Sequence, residues 1–262
     1  MSVNDQRTHI DLFSGIGGFA LAANAAGYDT RVFCEQDDYC TGVLNRHWPD
    51  VPIIPDIRDF DGSKWRGADL LTGGFPCQPF SQAGKQGGTS DDRHLWPEMF
   101  RVIKEARPRF VLAENVAGII KMALDDVLSQ LEGEGYTTGT VVLPACSLNA
   151  PHRRDRVWIM AHADKPRSQG WQREIMPERA REWSAGASGN QRNIGGQSKS
   201  SMGLLADGFP AGLVGGGWWD TEPDTPRVTT GVKDRRRKLM ALGNAIVPQV
   251  AYEIIRLMDN GD

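Results

Sequence analysis

Two hydrophobic patterns alternate between residue 8 and about residue 161. Short runs rich in β-branched and aromatic residues predict strands, and stretches in which apolar residues recur at helical spacing predict helices. Strands that alternate with helices in this way are typical of an α/β domain with crossover helices. The predicted strands are 9–13, 31–34, 53–54, 70–73, 110–114, 140–143 and 157–160, and the predicted helices are 19–26, 96–106 and 124–132.

The pattern changes after residue 163. Residues 165–217 are rich in glycine, serine, arginine and asparagine and show little periodicity, which indicates a small, partly flexible insert. Its tryptophans argue against a pure linker. The periodic pattern resumes at Arg227. A basic cluster at 233–238 then leads into a predicted closing helix at 246–258, which we expect to pack back on the first domain. The expected units are therefore 1–162, 163–226 and 227–262.

Composition excludes several classes of protein. The chain is 40% hydrophobic and 24% charged, as folded soluble domains are, and its net charge of −3 indicates no polyanion partner by itself. It has no run of eighteen apolar residues and no signal-peptide pattern at its N-terminus, so we expect a cytoplasmic protein without a membrane partner. The four cysteines are scattered and form no C-x-x-C pair, so the sequence predicts neither a disulfide framework nor a zinc site.

A glycine turn follows the first predicted strand, in DLFSGIGGFALAANAAG. Glycine lets the backbone approach a ligand closely, and the N-terminus of the next helix offers unpaired N–H groups. Glu35 ends the following strand about twenty residues on, where an acid binds the ribose of a nucleotide-like cofactor. Phe13 suits stacking on a purine. The turn departs from G-x-G-x-x-G, but together with Glu35 it predicts a cofactor site at Gly15, Gly17 and Gly18.

Cys77 lies in a loop stiffened by prolines, GGFPCQPFSQAGK, directly after the strand predicted at 70–73. The commonest fate of a lone cysteine is burial as a small apolar residue, but Pro76 and Pro79 argue against core packing here. A thiol with a pKa of about 8.5 is only a few per cent ionised at neutral pH, so a site that stabilises the thiolate creates a nucleophile. We interpret Cys77 as that nucleophile and the other three cysteines as structural.

Charged residues end two further predicted strands. In FVLAENVAG, Glu114 ends a strand expected beside the one that leads to Cys77, and an acid at a partly dry strand end can donate a proton. In NAPHRRDRVWIM, alternation places Arg154 and Arg156 on one side of a strand, where they suit a carboxylate, a phosphate or a base carbonyl. Ligands collect beyond the carboxyl ends of parallel strands. The residues expected to converge there are Ser14, Glu35, Asp56, Cys77 and Asn115.

In their order, DLFSGIGGFA, GGFPCQPFS, ENV, the R-x-R of HRRDR and GNAIVPQVA make this sequence resemble the DNA (cytosine-5)-methyltransferases. The resemblance covers most of the chain outside the insert. It implies the doubly wound, mostly parallel sheet of the class I S-adenosylmethionine-dependent methyltransferases, with residues 163–226 as a target-recognition region. It also implies a monomer that acts on duplex DNA, and it is compatible with a separate restriction endonuclease.

The resemblance implies S-adenosyl-L-methionine as the cofactor. Its methionine half would lie in the glycine turn, its ribose at Glu35 and its adenine at Asp56 and Ile57. Asn244 would complete the pocket. The turn residues concerned are Phe13, Ser14, Gly15, Gly17 and Gly18.

The resemblance also implies roles in catalysis. Cys77 would attack C6 of a cytosine, and Glu114 would hydrogen-bond the N3 atom and exocyclic amine of that base. Arg154 and Arg156 would hold the O2 atom of the base and steady the Cys77 loop. No residue is assigned as the base that removes the C5 proton. His152 stands where the family usually has glutamine.

Two places are expected to contact DNA. Because C6 is inaccessible in a duplex, the cytosine must be flipped out, and Gln82 could fill the space it leaves. Residues 83–93 have the composition of a closing lid, and base-edge reading would fall to the insert. Arg235, Arg236 and Arg237 would neutralise phosphates.

Three other classes account for part of the pattern. A transfer-RNA methyltransferase would share the core and its chemistry. A nicotinamide-dependent oxidoreductase would explain the glycine turn and Glu35, but it needs neither Cys77 between its neighbours nor the Glu114-Asn115-Val116 element. A DNA-binding regulator without catalysis would share the fold.

Overall fold

The computed structural model describes residues 7–76, 95–148, 150, 152–163 and 234–260. Cys77, Gln82 and nearly all of the predicted 163–226 region lie outside these residues. The strands are β1 (Arg7–Leu12), β2 (Tyr28–Cys34), β3 (Ile53–Ile54), β4 (Leu70–Gly73), β5 (Phe110–Val116), β6 (Tyr136–Pro144) and β7 (Asp155–Ala163). The α-helices are α1 (Gly18–Ala25), α2 (Asp38–His47), α3 (Trp96–Ala106), α4 (Ile119–Met122), α5 (Leu124–Gly133), α6 (Arg235–Asn244) and α7 (Pro248–Asn260).

The strands form one sheet in the order β3-β2-β1-β4-β5-β7-β6. The first five strands of this order pair in parallel, whereas β7 pairs antiparallel with both β5 and β6. The prediction of an α/β fold with a mostly parallel sheet is confirmed, and the strand predicted at 157–160 is the one that runs antiparallel to both of its neighbours. Between β6 and β7 the described regular structure is only the short 3₁₀ turn Ala145–Leu148. So short a connection favours an antiparallel return, because a parallel crossover takes a dozen or more residues.

Helices cover both faces of the sheet, which buries the strands in two hydrophobic layers. On one face, α3 and α5 bury Met99, Ile103 and Leu131. On the other, α1 and α7 pack together, and the α7 residue Ile254 belongs to the same cluster as Phe19 of α1. The C-terminal segment thus returns to the first strand–helix unit of the fold. This return brings the end of α6 to the carboxyl edge of β1.

The sequence reading missed α2. Asp37 caps this helix, since its carboxylate accepts hydrogen bonds from the backbone nitrogens of Tyr39 and Cys40, both at 3.0 Å. Arg46 and His47 lie in its last turn, where positive charge favours the helix dipole. An aspartate before the helix and basic residues at its end were signals that could have found it.

The glycine turn is shaped by protein packing at two of its three glycines. A Cβ atom added to Gly17 would lie 2.6 Å from the Trp48 ring, and one added to Gly18 would lie 2.8 Å from Cγ1 of Ile246. A Cβ added to Gly15 would meet no described atom within 4 Å. Gly17 and Gly18 therefore admit neighbouring side chains, and among the described residues only Gly15 of the three leaves room beside its backbone.

Four polar residues form a buried hydrogen-bonded chain inside the sheet. His9 and Asp11 of β1, Thr30 of β2 and Thr72 of β4 are each at most 2% exposed. His9 contacts Thr30 through Nδ1 at 2.9 Å and Thr72 through Nε2 at 2.8 Å, and Thr72 donates to Asp11 Oδ1 at 3.1 Å. This hydrogen-bonded chain joins β1, β2 and β4. The glycine turn follows β1, Glu35 follows β2, and the residues that lead to Cys77 follow β4.

Asn24 fixes the direction of this chain. Its amide is assigned the orientation that gives both of its ends a partner: the nitrogen then donates to Thr30 Oγ1 at 3.0 Å, and the oxygen accepts from Trp48 Nε1 at 3.1 Å. The Thr30 hydroxyl must then donate to His9 Nδ1, so neutral His9 carries its proton on Nε2 and donates to Thr72. Burial lowers the pKa of His9 to about 3, in accord with a neutral ring.

Asp11 ends the chain as an acceptor. Its Oδ2 atom is buried without a hydrogen-bond partner among the described residues. Burial raises the pKa of Asp11 from 3.8 to about 8, since the Thr72 hydrogen bond offsets only part of the desolvation.

We predict that Asp11→Asn flattens the pH dependence of stability between pH 6.5 and 8. The folded protein keeps a proton on Asp11 that the unfolded chain has lost, because the pKa is 3.8 in the unfolded chain and about 8 in the fold. Stability should therefore fall as pH rises toward 8, with a slope that approaches about 1.4 kcal/mol per pH unit. His9 acts in the opposite direction and only below its ordinary pKa of 6.5. Urea unfolding across this range measures the slope, and an equal slope in wild type and Asp11→Asn would contradict the prediction.

We predict that Gly17→Ala destabilises the protein more than Gly15→Ala. Both glycines have positive φ, 86° and 54°, so alanine at either position carries a backbone cost of about 1–2 kcal/mol. Only at Gly17 does the new methyl group collide with Trp48, and overpacking adds about 1–3 kcal/mol. Thermal unfolding of the two variants measures the difference. Equal melting temperatures would contradict the prediction and show that the Trp48 ring moves aside without cost.

Candidate active site

The first turn of the site is held between β1 and β2. Ser14 is buried, its hydroxyl donates to the Asp11 carbonyl at 2.7 Å, and its backbone nitrogen donates to the Cys34 carbonyl at 3.1 Å. The Glu35 carboxylate accepts from the backbone nitrogens of Gly15 at 2.7 Å and Asp37 at 2.8 Å. Glu35 therefore ties the glycine turn to the start of α2.

Phe13 adopts a left-handed backbone with φ 53°, rather than extending β1 as predicted. A non-glycine residue there carries a cost of about 1–2 kcal/mol. The ring is partly buried against the core. Together with the hydrogen bonds of Ser14, this packing holds the strained turn at the end of β1.

Asp56 and Ile57 follow β3 at the same edge of the sheet. The Asp56 carboxylate accepts from the backbone nitrogen of Arg58 at 2.9 Å, and so begins a short 3₁₀ turn. The Ile57 side chain is only 3% exposed and belongs to the core. A contact between Ile57 and adenine would therefore fall to its backbone, whereas the partly exposed Asp56 can offer its side chain.

Glu114 and Asn115 flank the chain that leads to Cys77. The Asn115 amide donates to the Phe75 carbonyl at 2.9 Å. A Cβ added to Gly74 would lie 3.4 Å from Glu114 Oε2. The predicted acid thus lies beside the residues just before Cys77, and Cys77 itself lies outside the described residues.

Arg156 holds Glu114. The register of β5 and β7 pairs Val116 with Arg156, so Glu114 and Arg156 are diagonal neighbours on one face. Arg156 Nε lies 2.8 Å from Glu114 Oε1, but Oε1 has no partner in hydrogen-bond geometry among the described residues. The contact is therefore an ion pair that leaves hydrogen-bonding capacity on the acid.

The pKa of Glu114 is raised from its ordinary value. Burial is the main cause, and the charges of Arg156 and Arg154 oppose it. A buried acid between two arginines can thus act as a hydrogen-bond acceptor and as a source of a proton.

Arg154 lies before β7 and not within it, with a left-handed φ of 42°. Its Nη2 atom donates to the Ala245 carbonyl at 2.6 Å. This is a contact with the connection between α6 and α7, which the sequence reading did not foresee. The described residues do not test its predicted contact with the Cys77 loop. His152 is exposed at the start of the same segment.

Helix α6 carries the other predicted residues. Asn244 is its last residue and is exposed, and the next two residues contact Arg154 and Gly18. The helix continues through residues 243 and 244 and ends directly before the segment that leads to α7. The arginines expected to contact DNA are exposed in its first turn, and they are Arg235, Arg236 and Arg237.

The remaining cysteines do not resemble nucleophiles. Cys34 and Cys40 are buried, and burial raises the pKa of each thiol to about 12. Cys146 is partly buried. Within the described ranges, no cluster of three or more histidine, cysteine, aspartate or glutamate side chains could hold a metal ion. Nor does any helix in those ranges have the length and apolar character needed to cross a membrane.

Sequence reasoning missed the residues that support the site. Trp48 and Ile246 fill the space beside Gly17 and Gly18, and no local motif marks either of them. His9 and Asp11 did carry a signal, because they are polar positions that alternate with the apolar Ile10 and Leu12 along β1. Such positions are either buried with partners or face solvent, and here they are buried.

A family model of C-5 cytosine-specific DNA methylases matches residues 7–207 of the chain. Among curated relatives, the Type II methyltransferase M.PspPI of Psychrobacter sp. (strain TA137) is 39% identical over 170 residues, which are 61% of this chain and 41% of that protein. The Type II methyltransferase M.NgoMIV of Neisseria gonorrhoeae is 35% identical over 161 residues, 60% of this chain and 52% of that protein. The chain thus spans about half the length of these relatives.

Two solved structures are similar in fold. A DNA modification methyltransferase encoded within an E. coli prophage is 27% identical, with a TM-score of 0.51 over 60% of this chain and 47% of that chain. The Dnmt2 methyltransferase of S. pombe has a TM-score of 0.59 over 98% of this chain and 99% of that chain, at 17% identity. This last likeness concerns the fold alone.

The sheet order, the helices on both faces and these neighbours identify the fold as that of the class I S-adenosylmethionine-dependent methyltransferases. The family model covers well over half of the chain, from the first described strand into the region beyond β7. The chain therefore belongs to the C-5 cytosine-specific DNA methylase family.

Proposed function

We propose that this protein transfers a methyl group from S-adenosyl-L-methionine to C5 of a flipped-out cytosine in duplex DNA, through a covalent bond between Cys77 and C6. One observation carries the proposal. Glu114, a buried acid paired with Arg156, lies beside the residues that lead to Cys77, at the sheet edge that also carries the glycine turn. An acid, an arginine and a thiol next to a cofactor turn are the groups this reaction needs.

The described residues fit the cofactor. A Cβ on Gly15 would meet no described atom within 4 Å, so a ligand can approach the backbone there, and α1 begins three residues later at Gly18 with the positive end of its dipole toward the turn. Each oxygen of Glu35 accepts one backbone hydrogen bond and keeps a second lone pair for a ribose hydroxyl. Asp56 and Asn244 supply further polar groups. The bound cofactor would supply an electrophilic methyl group on a sulfonium.

Cys77 begins the reaction. Its thiolate forms a bond to C6 of the cytosine, and the electron pair of the C5–C6 double bond shifts toward C5 and the ring. C5 then becomes nucleophilic enough to accept the methyl group that a bound cofactor would supply. A base removes the C5 proton, the C5–C6 double bond reforms and Cys77 leaves.

Glu114 stabilises the ring while charge develops on it. Because its pKa is raised by burial, it can share or donate a proton at N3 of the cytosine as Cys77 adds to C6. Arg156 keeps the carboxyl group in place at 2.8 Å. Arg156 also brings positive charge near the O2 side of the base.

Recognition of DNA falls to residues around this core. Flipping a base costs a few kcal/mol, and Gln82 together with residues of the 163–226 region would offset that cost and read the neighbouring bases. The exposed basic turn of α6 would contact phosphates. A separate restriction endonuclease is a compatible partner, since Type II methyltransferases are among the relatives.

A covalent trap tests the mechanism. DNA fragments in which 5-fluorocytosine replaces cytosine should form a denaturation-resistant complex with the wild-type protein in the presence of S-adenosyl-L-methionine, because fluorine at C5 cannot be removed as a proton. Cys77→Ser should form none, and Glu114→Gln should trap about 100-fold more slowly. Cys146→Ser, which changes a partly buried thiol in the turn between β6 and β7, is the matched control and should trap at the wild-type rate.

The same assay separates the competing functions. No adduct with wild-type protein would refute the covalent mechanism and favour a non-catalytic DNA-binding regulator. Transfer of a labelled methyl group to transfer RNA, but not to duplex DNA, would show that RNA is the substrate.

We predict that replacing Arg235, Arg236 and Arg237 by alanine weakens the salt dependence of DNA binding. If the wild-type protein neutralises about six phosphates, log affinity falls with log salt at a slope of about −5, and removal of three contacts makes the slope shallower by about 2.7. Fluorescence anisotropy across a salt series measures both slopes. Lys64→Ala is a control on an exposed lysine of the connection between β3 and β4. An unchanged slope in the triple variant would exclude α6 from the DNA interface.

A further inference from the structure

The connection between α6 and α7, residues 245–247, touches the two halves of the site. On one side, Ile246 lies against Gly18, so closely that a Cβ on Gly18 would be 2.8 Å from Ile246 Cγ1. On the other side, the Ala245 carbonyl accepts the hydrogen bond from Arg154 at 2.6 Å. We refer to these three residues as the α6–α7 connection. It follows directly on Asn244, the residue assigned to the cofactor pocket.

Arg154 makes this contact across a long separation in sequence and from a strained backbone. It lies 91 residues from Ala245 along the chain, so its hydrogen bond fixes two segments that no local structure would bring together. Its left-handed backbone, with φ 42°, carries a cost for an arginine that surrounding contacts must offset. A charged donor on a carbonyl is among the stronger hydrogen bonds in proteins.

The two arginines have separate partners. Arg156 makes the ion pair with Glu114 at 2.8 Å, whereas the hydrogen bond of Arg154 goes to the α6–α7 connection. Arg154 acts on Glu114 through its charge, and more weakly than Arg156 does. The geometry therefore separates a residue that holds the acid from a residue that holds the cofactor side.

We propose that Arg154 is a positioning residue for the cofactor: by holding the Ala245 carbonyl it keeps Ile246 against Gly18 and fixes the position of Asn244, the residue before that carbonyl. This inference rests on the proposed function for the identity of the cofactor. It gives Arg154 a different role from a contact with O2 of the base. The two roles differ in one measurable respect, because a cofactor-positioning residue acts before any DNA is bound.

S-adenosylhomocysteine is the probe, since it binds as a product without a reaction. Isothermal titration of the full chain in the absence of DNA should give a Kd about tenfold higher for Arg154→Met than for wild type, as expected for loss of a hydrogen bond from a charged donor. Arg154→Lys, which keeps a charged donor, should recover part of that loss. Arg153→Met is the matched control and should bind as wild type, because the Arg153 side chain is 82% exposed and pairs with Asp155.

A double-mutant cycle distinguishes positioning from general weakening of the fold. Ile246→Ala removes the contact with Gly18 and should also raise the Kd. If Arg154 acts through the α6–α7 connection, Arg154→Met should raise the Kd for S-adenosylhomocysteine only slightly further in a protein that already carries Ile246→Ala. Additive effects would show that Arg154 acts by another route and would overturn the inference, even if Arg154→Met also lowers the melting temperature.

The outcomes separate this inference from the proposed function. A wild-type protein that binds no S-adenosylhomocysteine refutes the cofactor, and the inference with it. A wild-type protein that binds the probe while Arg154→Met binds equally well refutes only the positioning role. An Arg154→Met variant that binds the probe normally but loses methyl transfer to DNA would place Arg154 at the cytosine base.

Discussion

The parallel pairing of β1 with both β2 and β4 is the constraint on which the site depends. Leu12, the last residue of β1, stands opposite Cys34 on one side and Gly73 on the other. The glycine turn, Glu35 and the residues before Cys77 must therefore leave the sheet at one edge and at the same level. A shift of one residue in either pairing would turn the side chains at these strand ends to the opposite face.

The core of the sheet reinforces this pairing with polar groups rather than only with apolar contacts. His9, Thr30 and Thr72 link the three strands by hydrogen bonds whose direction Asn24 sets. Because His9 is neutral and Asp11 has a raised pKa, the chain carries little charge into a dry interior at neutral pH. An uncharged chain avoids most of the desolvation cost of a buried ion pair, while it still ties each strand to a particular neighbour.

Much of this arrangement could be predicted from the sequence, because it follows from local pattern. The periodicity located all seven strands, each bound to within four residues, and α3 at its observed bounds, and the polar strand ends marked Glu35 and Glu114. The reading failed where distant segments decide the structure. Trp48 and Ile246, which lie beside Gly17 and Gly18, come from distant segments and carried no local signal. The partner of Arg154 lies 91 residues away, and such a separation leaves no trace in local spacing.

Because Arg154 and Arg156 have separate partners, they affect the pKa of Glu114 differently. Two ion pairs to Glu114 would hold its carboxyl group strongly in the charged form, because each opposite charge lowers the pKa. Arg154 instead donates its hydrogen bond to the neutral Ala245 carbonyl, and among the described residues only Arg156 forms an ion pair with Glu114. Burial then prevails, and the pKa of Glu114 stays above its ordinary value. The hydrogen bond of Arg154 to the Ala245 carbonyl thus also leaves Glu114 as an acid that can exchange a proton.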